Sequence, residues 1–206
     1  IKTKGEEHTA FVESAYPYKH MQAVNHMQAT AWKINEPVLE LVRTAVQNNW
    51  IGFGLPRQDK LEIPEHPGED ATDDIKTMWM QDAKTIHGKN KQNASALIVL
   101  GQSLKMADSL QERDFWHVYT CDFRGRIYCS STTLSTQGAD HIKAMSTFSE
   151  GKPLGREGIR WLAINGANKY GEDKVDYNDR VRWVMAQREA IEAVASEPGS
   201  SRARSF

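Results

Sequence analysis

The 206-residue chain has few cysteines and no long apolar run. Its two cysteines, Cys121 and Cys129, are too few for the disulfide framework of a small secreted domain, so we expect buried, reduced thiols. No stretch approaches the roughly 18 consecutive apolar residues of a membrane span, and the N-terminal residues lack a signal-peptide pattern. These absences predict a soluble protein, and the first residue, Ile1, leads us to expect a preceding segment.

Motifs of several enzyme classes are also missing. The sequence contains no Gly-x-x-x-x-Gly-Lys phosphate loop and no Gly-x-Ser-x-Gly nucleophile elbow. Its seven histidines do not combine with the two cysteines at a spacing that suits zinc. The sequence therefore gives no support to the common phosphate-loop, hydrolase and zinc-site interpretations.

Charge is nearly balanced overall, at 26 basic and 27 acidic residues, but it is unevenly distributed. Residues 57–82 contain eight acids and three bases. Residues 83–107 contain no acid and four lysines, among them Lys89 and Lys91. This basic stretch predicts either a phosphate-binding surface or a solvated helix face, and composition alone does not separate the two.

A short charged segment lies between two predicted strands. Phe115–Thr120 and Ile127–Cys129 are rich in β-branched and aromatic residues, which predicts an antiparallel hairpin over roughly residues 116–130. The residues of interest in and after the turn are Asp122, Arg124, Gly125, Arg126 and Tyr128.

The spacing of these residues predicts an anion-binding turn. Arg124 and Arg126 are two residues apart, so an extended backbone places their guanidinium groups on one face as a fork. Asp122 lies on that face and is placed to hold the fork by charge-assisted hydrogen bonds. Gly125 permits a tight turn or the close approach of another group. The fork suits phosphate oxygens and the Tyr128 ring suits a base or sugar, whereas the alternative is a salt-bridged surface hairpin.

The remaining sequence predicts a mainly helical α+β protein. Apolar residues at spacings of three and four mark the helices, and proline, glycine and acidic residues mark a linker. The predicted segments are an irregular lead-in at 1–18, helices at 21–35, 38–46, 73–88 and 94–111, a linker at 48–72, and helices at 141–148, 155–166 and 178–197. We expect a helical unit at residues 1–112, followed by the hairpin and further helices at residues 113–206.

Taken together, several segments resemble one known family. Asp122-x-x-Gly125-Arg126 within a strand-turn-strand resembles the template-contact motif of the single-subunit RNA polymerases of bacteriophages and mitochondria. Further similar segments, in the same order, are Gln28–Asn35, Gln137–Asp140, Gly151–Gly158, Trp161-Leu162, Asn165–Asn168 and Asp173–Val175. The resemblance covers most of residues 19–198. It implies a fragment that contains the thumb, at 1–112, and the beginning of the palm, at 113–206.

The resemblance also implies roles for the residues of the turn. Arg124 and Arg126 would grip the template strand or the RNA–DNA hybrid, with Asp122 fixing them. Gly125 would permit the close approach and Tyr128 would pack on the template nucleotide. On the thumb side of the hybrid the family implies contacts from Lys89 and Lys91. Near them, Gln92 and Asn93 depart from the arginines that the family shows in this area.

The family's catalytic groups are not recognisable in this chain. Its metal-binding aspartates lie in an Asp-Gly and a His-Asp-Ser motif, and a helix with Arg, Lys and Tyr serves the triphosphate; none of these occurs here. We therefore expect Mg²⁺ to bind outside this segment and the chain to be inactive alone. The implied partners are template DNA, the RNA–DNA hybrid, nucleoside triphosphates, and the missing palm and fingers, fused or as a second chain. The implied location is the cytoplasm of a phage-infected bacterium, with no membrane.

Two other interpretations stay open on the residues alone. One is a stand-alone helical nucleic-acid-binding module without polymerase activity. The other is a structural interaction domain whose arginines are merely salt-bridged. The sequence encoded after Phe206 would separate them, because the catalytic motifs of the family should follow there if the first interpretation holds.

Overall fold

The computed structural model describes residues 18–50, 54–122 and 124–201, together with Glu6, Ala10 and Ala203. The predicted lead-in at 1–18 therefore lies almost entirely outside the described residues. The described helices are α1 (Tyr18–Ala29), α2 (Glu36–Gln47), α3 (Asp73–Leu110), α4 (Asp140–Ala144), α5 (Gly155–Tyr170), α6 (Tyr177–Ala186) and α7 (Arg188–Ser196). The described strands are β1 (Trp32–Ile34), β2 (Tyr119–Cys121), β3 (Ile127–Cys129) and β4 (Ser146–Phe148). The predicted class, α+β and mainly α, is confirmed.

Chain contacts divide the molecule into two units, Ile1–Ser149 and Glu150–Phe206. The division into thumb and palm at residues 112 and 113 stays a prediction. Among the residues that the structure describes, none of the helices has both the length and the apolar character needed to cross a bilayer.

The first unit contains the predicted hairpin and a second strand pair that was not predicted. β2 and β3 are antiparallel, with Tyr119 opposite Cys129 and Cys121 opposite Ile127. β1 pairs with β4, with Trp32 opposite Phe148. The predictions of helix at 21–35 and at 141–148 are therefore wrong in their second halves. In both places the helix ends early, and the three residues of β1 pair instead with the three residues of β4, which are distant in sequence.

The core of the first unit is formed mainly by α2, α3 and the segments around α4. Its buried apolar residues are Ile34, Leu39, Val42, Leu100, Ala107, Phe115, Leu134, Ile142 and Met145. The predicted stripe of α2 is confirmed at Val42 and Ala45, which are buried, but it omitted Leu39, whose side chain is fully buried. The predicted inward positions Leu100 and Ala107 of α3 are confirmed.

A single helix of 38 residues, α3, replaces the two helices predicted around Gly88. Gly88 does not end a helix, and Lys89, Asn90 and Lys91 lie within α3 rather than in a connector. An isolated glycine costs a helix only about 1 kcal/mol, which the continuous flanking turns offset. Of the buried residues in α3, only Ala83 lies before position 100. The predicted burial of Ile75 and Met78 is wrong, since both are exposed.

The first half of α3 is covered along one side by the segment 54–72, which we name the strap. The amide of Asn93 accepts from the Arg57 N–H at 2.8 Å and donates to the Arg57 carbonyl at 2.7 Å. Asn90 makes the same pair of bonds with Leu61, both at 2.9 Å. Further along, the Trp79 Nε1–H donates to the Pro64 carbonyl at 2.8 Å. The predicted linker is thus irregular, but hydrogen bonds hold it against α3.

The second unit consists of α5, α6 and α7. Asp176 caps α6 by accepting from the N–H groups of Asn178 and Asp179, so the predicted cap at Asn178 is one of its donors instead. The predicted helix at 178–197 is two helices, with a break at Gln187. In α5, Ala163 is buried as predicted, whereas Ile159 and Leu162, also predicted to face inward, are exposed.

Candidate nucleic-acid interface

Asp122 organises the turn between β2 and β3. Its Oδ1 accepts from the backbone N–H groups of Arg124 and Arg126, both at 2.9 Å. Its Oδ2 accepts from Arg124 Nε at 3.0 Å and from an Arg124 terminal nitrogen at 2.9 Å. The Arg126 N–H, followed by the Arg124 guanidinium, holds the pKa of Asp122 below its ordinary value. The carboxylate therefore stays ionised at neutral pH and fixes the backbone as well as one side chain.

The two arginines are not a symmetric fork, contrary to the prediction. Arg124 is ion-paired with Asp122 through its guanidinium. Arg126 gives Asp122 only its backbone N–H, and within the described residues its exposed guanidinium makes no hydrogen bond or ion pair. The difference arises because an aspartate preceding a turn accepts from backbone N–H groups first. The turn thus presents one constrained and one available guanidinium group.

Gly125 is required by both the backbone and its surroundings. Its φ of +78° is a conformation that favours glycine, and its N–H donates to the Asp122 carbonyl at 3.0 Å. An added Cβ would lie 3.2 Å from Nε2 of His20 in α1. The predicted close approach is therefore occupied by a side chain of the same chain, a neighbour that the sequence did not indicate.

Tyr128 lies two residues beyond Arg126, on the same face of the extended chain. Its side chain is 40% exposed, so much of the ring is open to a ligand. The hydroxyl donates a long hydrogen bond of 3.4 Å to Asp122 Oδ2. The predicted set Asp122, Arg124, Gly125, Arg126 and Tyr128 is therefore assembled in one place, with Arg126 and Tyr128 as its available members.

The predicted lysines lie elsewhere, on α3. Lys89 belongs to a shallow groove of about 500 Å³ along one side of the helix. The residues of this groove, which we name the polar stripe, are Gln81, Lys84, Thr85, Gly88, Lys89 and Gln92. Lys91 is not among the residues of the groove, although it lies seven residues from Lys84 and therefore on nearly the same side of the helix. In the described part of the chain no hydrogen bond or ion pair joins either lysine to the turn.

The polar stripe is open at Gly88 and lies beside the strap. A Cβ added at Gly88 would meet nothing within 4 Å, so the groove is a consequence of the missing side chain. The stripe carries two lysines and no acid. Asn90, which binds the strap, lies about 200° around the helix from Gly88. The strap itself carries five acids and two bases, and Lys89 and Gln92 also line a second groove with Arg57 and Asp59 of the strap.

An aromatic cluster lies beneath the hairpin. His117 is buried and packs edge-on against Trp32 and Phe115, with ring centroids 5.3 and 5.4 Å apart. Its Nδ1 lies 3.8 Å from Cys129 Sγ, while its Nε2 has no hydrogen-bond partner in the described structure. Burial lowers the pKa of His117. The two cysteines are free, as expected, but half-buried rather than buried.

The buried His117 makes the stability of the protein depend on pH. Because its pKa is lowered in the folded state, the unfolded chain binds a proton first as the pH falls below about 6.5. The free energy of unfolding should then fall by at most about 1.4 kcal/mol per pH unit for this residue. Urea unfolding of wild type and His117→Phe between about pH 7.5 and 5.5 measures the difference. His87→Phe, an exposed position on α3, is the control, and equal slopes for all three proteins would contradict the expectation.

The described residues do not form a cluster of metal ligands. Across the described ranges, no group of three or more histidine, cysteine, aspartate or glutamate side chains is arranged to hold a metal ion.

Comparisons with known proteins find RNA polymerases. The family described as DNA-dependent RNA polymerase matches residues 152–204. T7 RNA polymerase of Escherichia phage T7 is 32% identical over 201 residues, covering 96% of this chain and 23% of that protein. The DNA-directed RNA polymerase of Enterobacteria phage K11 is 33% identical over 183 residues, covering 86% and 20%. The mitochondrial DNA-directed RNA polymerase of Neurospora crassa is 28% identical over 203 residues, covering 96% and 14%.

The chain belongs to the single-subunit RNA polymerase family. It spans about a fifth of the length of the phage relatives that it matches. Both phage and mitochondrial RNA polymerases are similar to nearly the whole chain. The alternative of a stand-alone helical module is not supported by these relatives.

Proposed function

We propose that this chain is part of a phage-type, DNA-dependent RNA polymerase and grips template DNA and the RNA–DNA hybrid during transcription. One observation carries the proposal: the turn organised by Asp122 presents an available, exposed arginine in a chain of this family. The whole enzyme would act as a nucleotidyltransferase, and its phage relatives favour the cytoplasm of an infected bacterium as its location.

The hairpin would contact the sugar-phosphate backbone. Arg126 carries the phosphate contact, since its guanidinium is available and its backbone is fixed by Asp122. The ring of Tyr128 stacks on a sugar or base at the same face. Arg124 adds positive charge but is oriented by its ion pair with Asp122. The Asp122 oxygens accept from protein donors and would repel a phosphate, so Asp122 acts through its neighbours.

On α3, the polar stripe would be the second contact. Lys84 and Lys89 lie on the same side as the groove at Gly88, where a phosphate chain can approach the helix backbone closely. Gln81, Thr85 and Gln92 add hydrogen-bond donors without sequence preference. Lys91, predicted with Lys89, lies three residues from Gly88 and seven from Lys84, so it is on nearly the same side of the helix and would add positive charge beside the groove.

Catalysis would depend on residues outside this chain. Because the described residues do not fit a Mg²⁺ site, no chemical step is assigned to them. The metal, which in such enzymes neutralises the triphosphate and activates the attacking hydroxyl, would be held by the remaining palm, and nucleoside triphosphates would bind there. The remaining palm and fingers, fused or as a second chain, are thus the required protein partner.

A reconstitution experiment tests this function. The chain alone, given a primed template, magnesium and four nucleotides, should incorporate no nucleotide. Supplying the C-terminal remainder of a phage relative, fused or as a second polypeptide, should restore RNA synthesis. Synthesis by the chain alone, or none by any reconstituted form that is folded, would contradict the proposal. The same remainder without this chain is the control.

A further inference from the structure

The outer edges of the hairpin require partners that a two-stranded sheet does not supply. In β2 and β3 the non-bonded pairs are Tyr119 with Cys129 and Cys121 with Ile127, so the backbone groups of these residues point away from the other strand. Exposed edges of this kind are weakly specified, and an isolated hairpin is marginally stable in water. The hairpin that presents Arg126 therefore needs support from elsewhere.

One glutamine completes the edge of β3. Gln137 accepts from the Cys129 N–H through Oε1 at 2.8 Å and donates from Nε2 to the Ile127 carbonyl at 2.9 Å. These two partners are two residues apart, the spacing at which one residue of a neighbouring strand would bind. The side-chain amide thus occupies the position of a third strand. Its orientation is fixed, because only the oxygen can face an N–H and only the nitrogen can face a carbonyl.

A second glutamine occupies the edge of β2. Gln28 of α1 accepts from the Tyr119 N–H through Oε1 at 3.0 Å. Eight residues earlier in α1, His20 lies against Gly125 at the tip of the turn. Eight residues span about 12 Å of helix, so α1 contacts the hairpin both near its base and at its tip. Both edges of the hairpin are therefore held by side chains from outside the sheet.

We propose that Gln28 and Gln137 are positioning residues that fix the direction in which the turn presents Arg126 to a nucleic-acid phosphate. The inference rests on the proposed function and adds to it the residues that orient the contact. Both polar atoms of the Gln137 amide are engaged with the backbone of β3, so this side chain is oriented toward the hairpin. A side chain that projects from a fixed backbone loses less conformational freedom on binding than one on a mobile turn, which strengthens a single contact.

A double-mutant cycle separates positioning from the other roles of Gln137. The probe is a short, fluorescently labelled RNA–DNA hybrid, and the measurement is the affinity of the full chain for it as a function of salt. We expect Gln137→Ala to weaken binding by roughly the same factor as Arg126→Ala, up to about tenfold, with a salt slope lower by about one. In the Arg126→Ala background, Gln137→Ala should then have no further effect.

Additive effects of the two substitutions would overturn the proposal, because a direct contact or a general loss of structure lowers affinity in either background. Gln137→Glu refines the test: it keeps the acceptor for Cys129 but loses the donor for Ile127, so it should behave like Gln137→Ala. If Gln137→Ala does not fold, Gln28→Ala replaces it in the cycle, with Gln22→Ala in the same helix as its control. An Arg126→Ala chain that binds like wild type would instead show that the proposed phosphate contact is wrong.

Discussion

Arg126→Ala should lower the affinity of the chain for an RNA–DNA hybrid by up to about tenfold and reduce the salt slope of binding by about one. The reason is that Arg126 has the available guanidinium of the turn, and one lost phosphate contact releases about one counterion fewer. The loss should be the same for all hybrid sequences, since phosphate contacts carry no sequence information. Arg126→Lys keeps the charge but not the bidentate geometry, so it should be intermediate.

Arg113→Ala is the matched control, because it removes the same charge from an exposed arginine just before the hairpin. Asp122→Asn provides a second comparison. The side-chain oxygen of an asparagine still accepts from the Arg124 and Arg126 N–H groups. Its side-chain nitrogen, which replaces Oδ2, cannot accept from the Arg124 guanidinium. It should therefore release Arg124, preserve the turn and be milder than Arg126→Ala. Equal salt slopes for Arg126→Ala and Arg113→Ala, with both proteins folded, would remove the turn from the interface.

Gly88→Leu should abolish most hybrid binding at α3 while leaving the protein as stable as before or slightly more stable. A leucine side chain at this position meets open space, and leucine is a better helix former than glycine by almost 1 kcal/mol, about the difference between the two in helix propensity. The same side chain fills the groove between Lys84 and Lys89. A substitution that stabilises the free protein and weakens binding is hard to explain by unfolding.

Gly101→Leu is the control for this prediction. Gly101 lies in the same helix, is exposed, and a Cβ there also meets nothing within 4 Å, but it is outside the polar stripe. Thermal unfolding and hybrid affinity should be measured for both variants, with Gly88→Ala as a smaller step. If the two leucine variants bind alike, nucleic acid does not approach α3 at the stripe.

Local chemistry in the sequence was enough to predict the hairpin and most helices. The turn follows from Asp122 and Gly125, whose effects reach only a few residues along the chain. The strand pair β1–β4 was missed because Trp32 and Phe148 are distant in sequence and each strand has only three residues. The ties between the strap and α3 were missed for the same reason, since Asn93 binds a backbone 36 residues away.

The turn shows where a correct local prediction still gives a wrong geometry. Spacing placed Arg124 and Arg126 on one face, which is sound for an extended chain. The backbone is not extended there, because Gly125 adopts a positive φ and Asp122 draws the Arg124 and Arg126 N–H groups to one oxygen. Side-chain competition for backbone donors, which spacing does not describe, decided which arginine is available.

The length of α3 has a mechanical consequence. Its 38 residues extend about 57 Å, at 1.5 Å per residue, and its packing into the core is concentrated in the second half, around Leu100 and Ala107. The part of the helix that precedes the core, roughly 35 Å long, carries the polar stripe. A tilt of the helix in the core therefore displaces this part. A tilt of only about 5° in the core moves the N-terminal end of the helix by about 3 Å, the length of a hydrogen bond. The polar stripe lies about 12 to 28 Å from Leu100 along the helix, so the same tilt would displace it by about 1 to 2.5 Å.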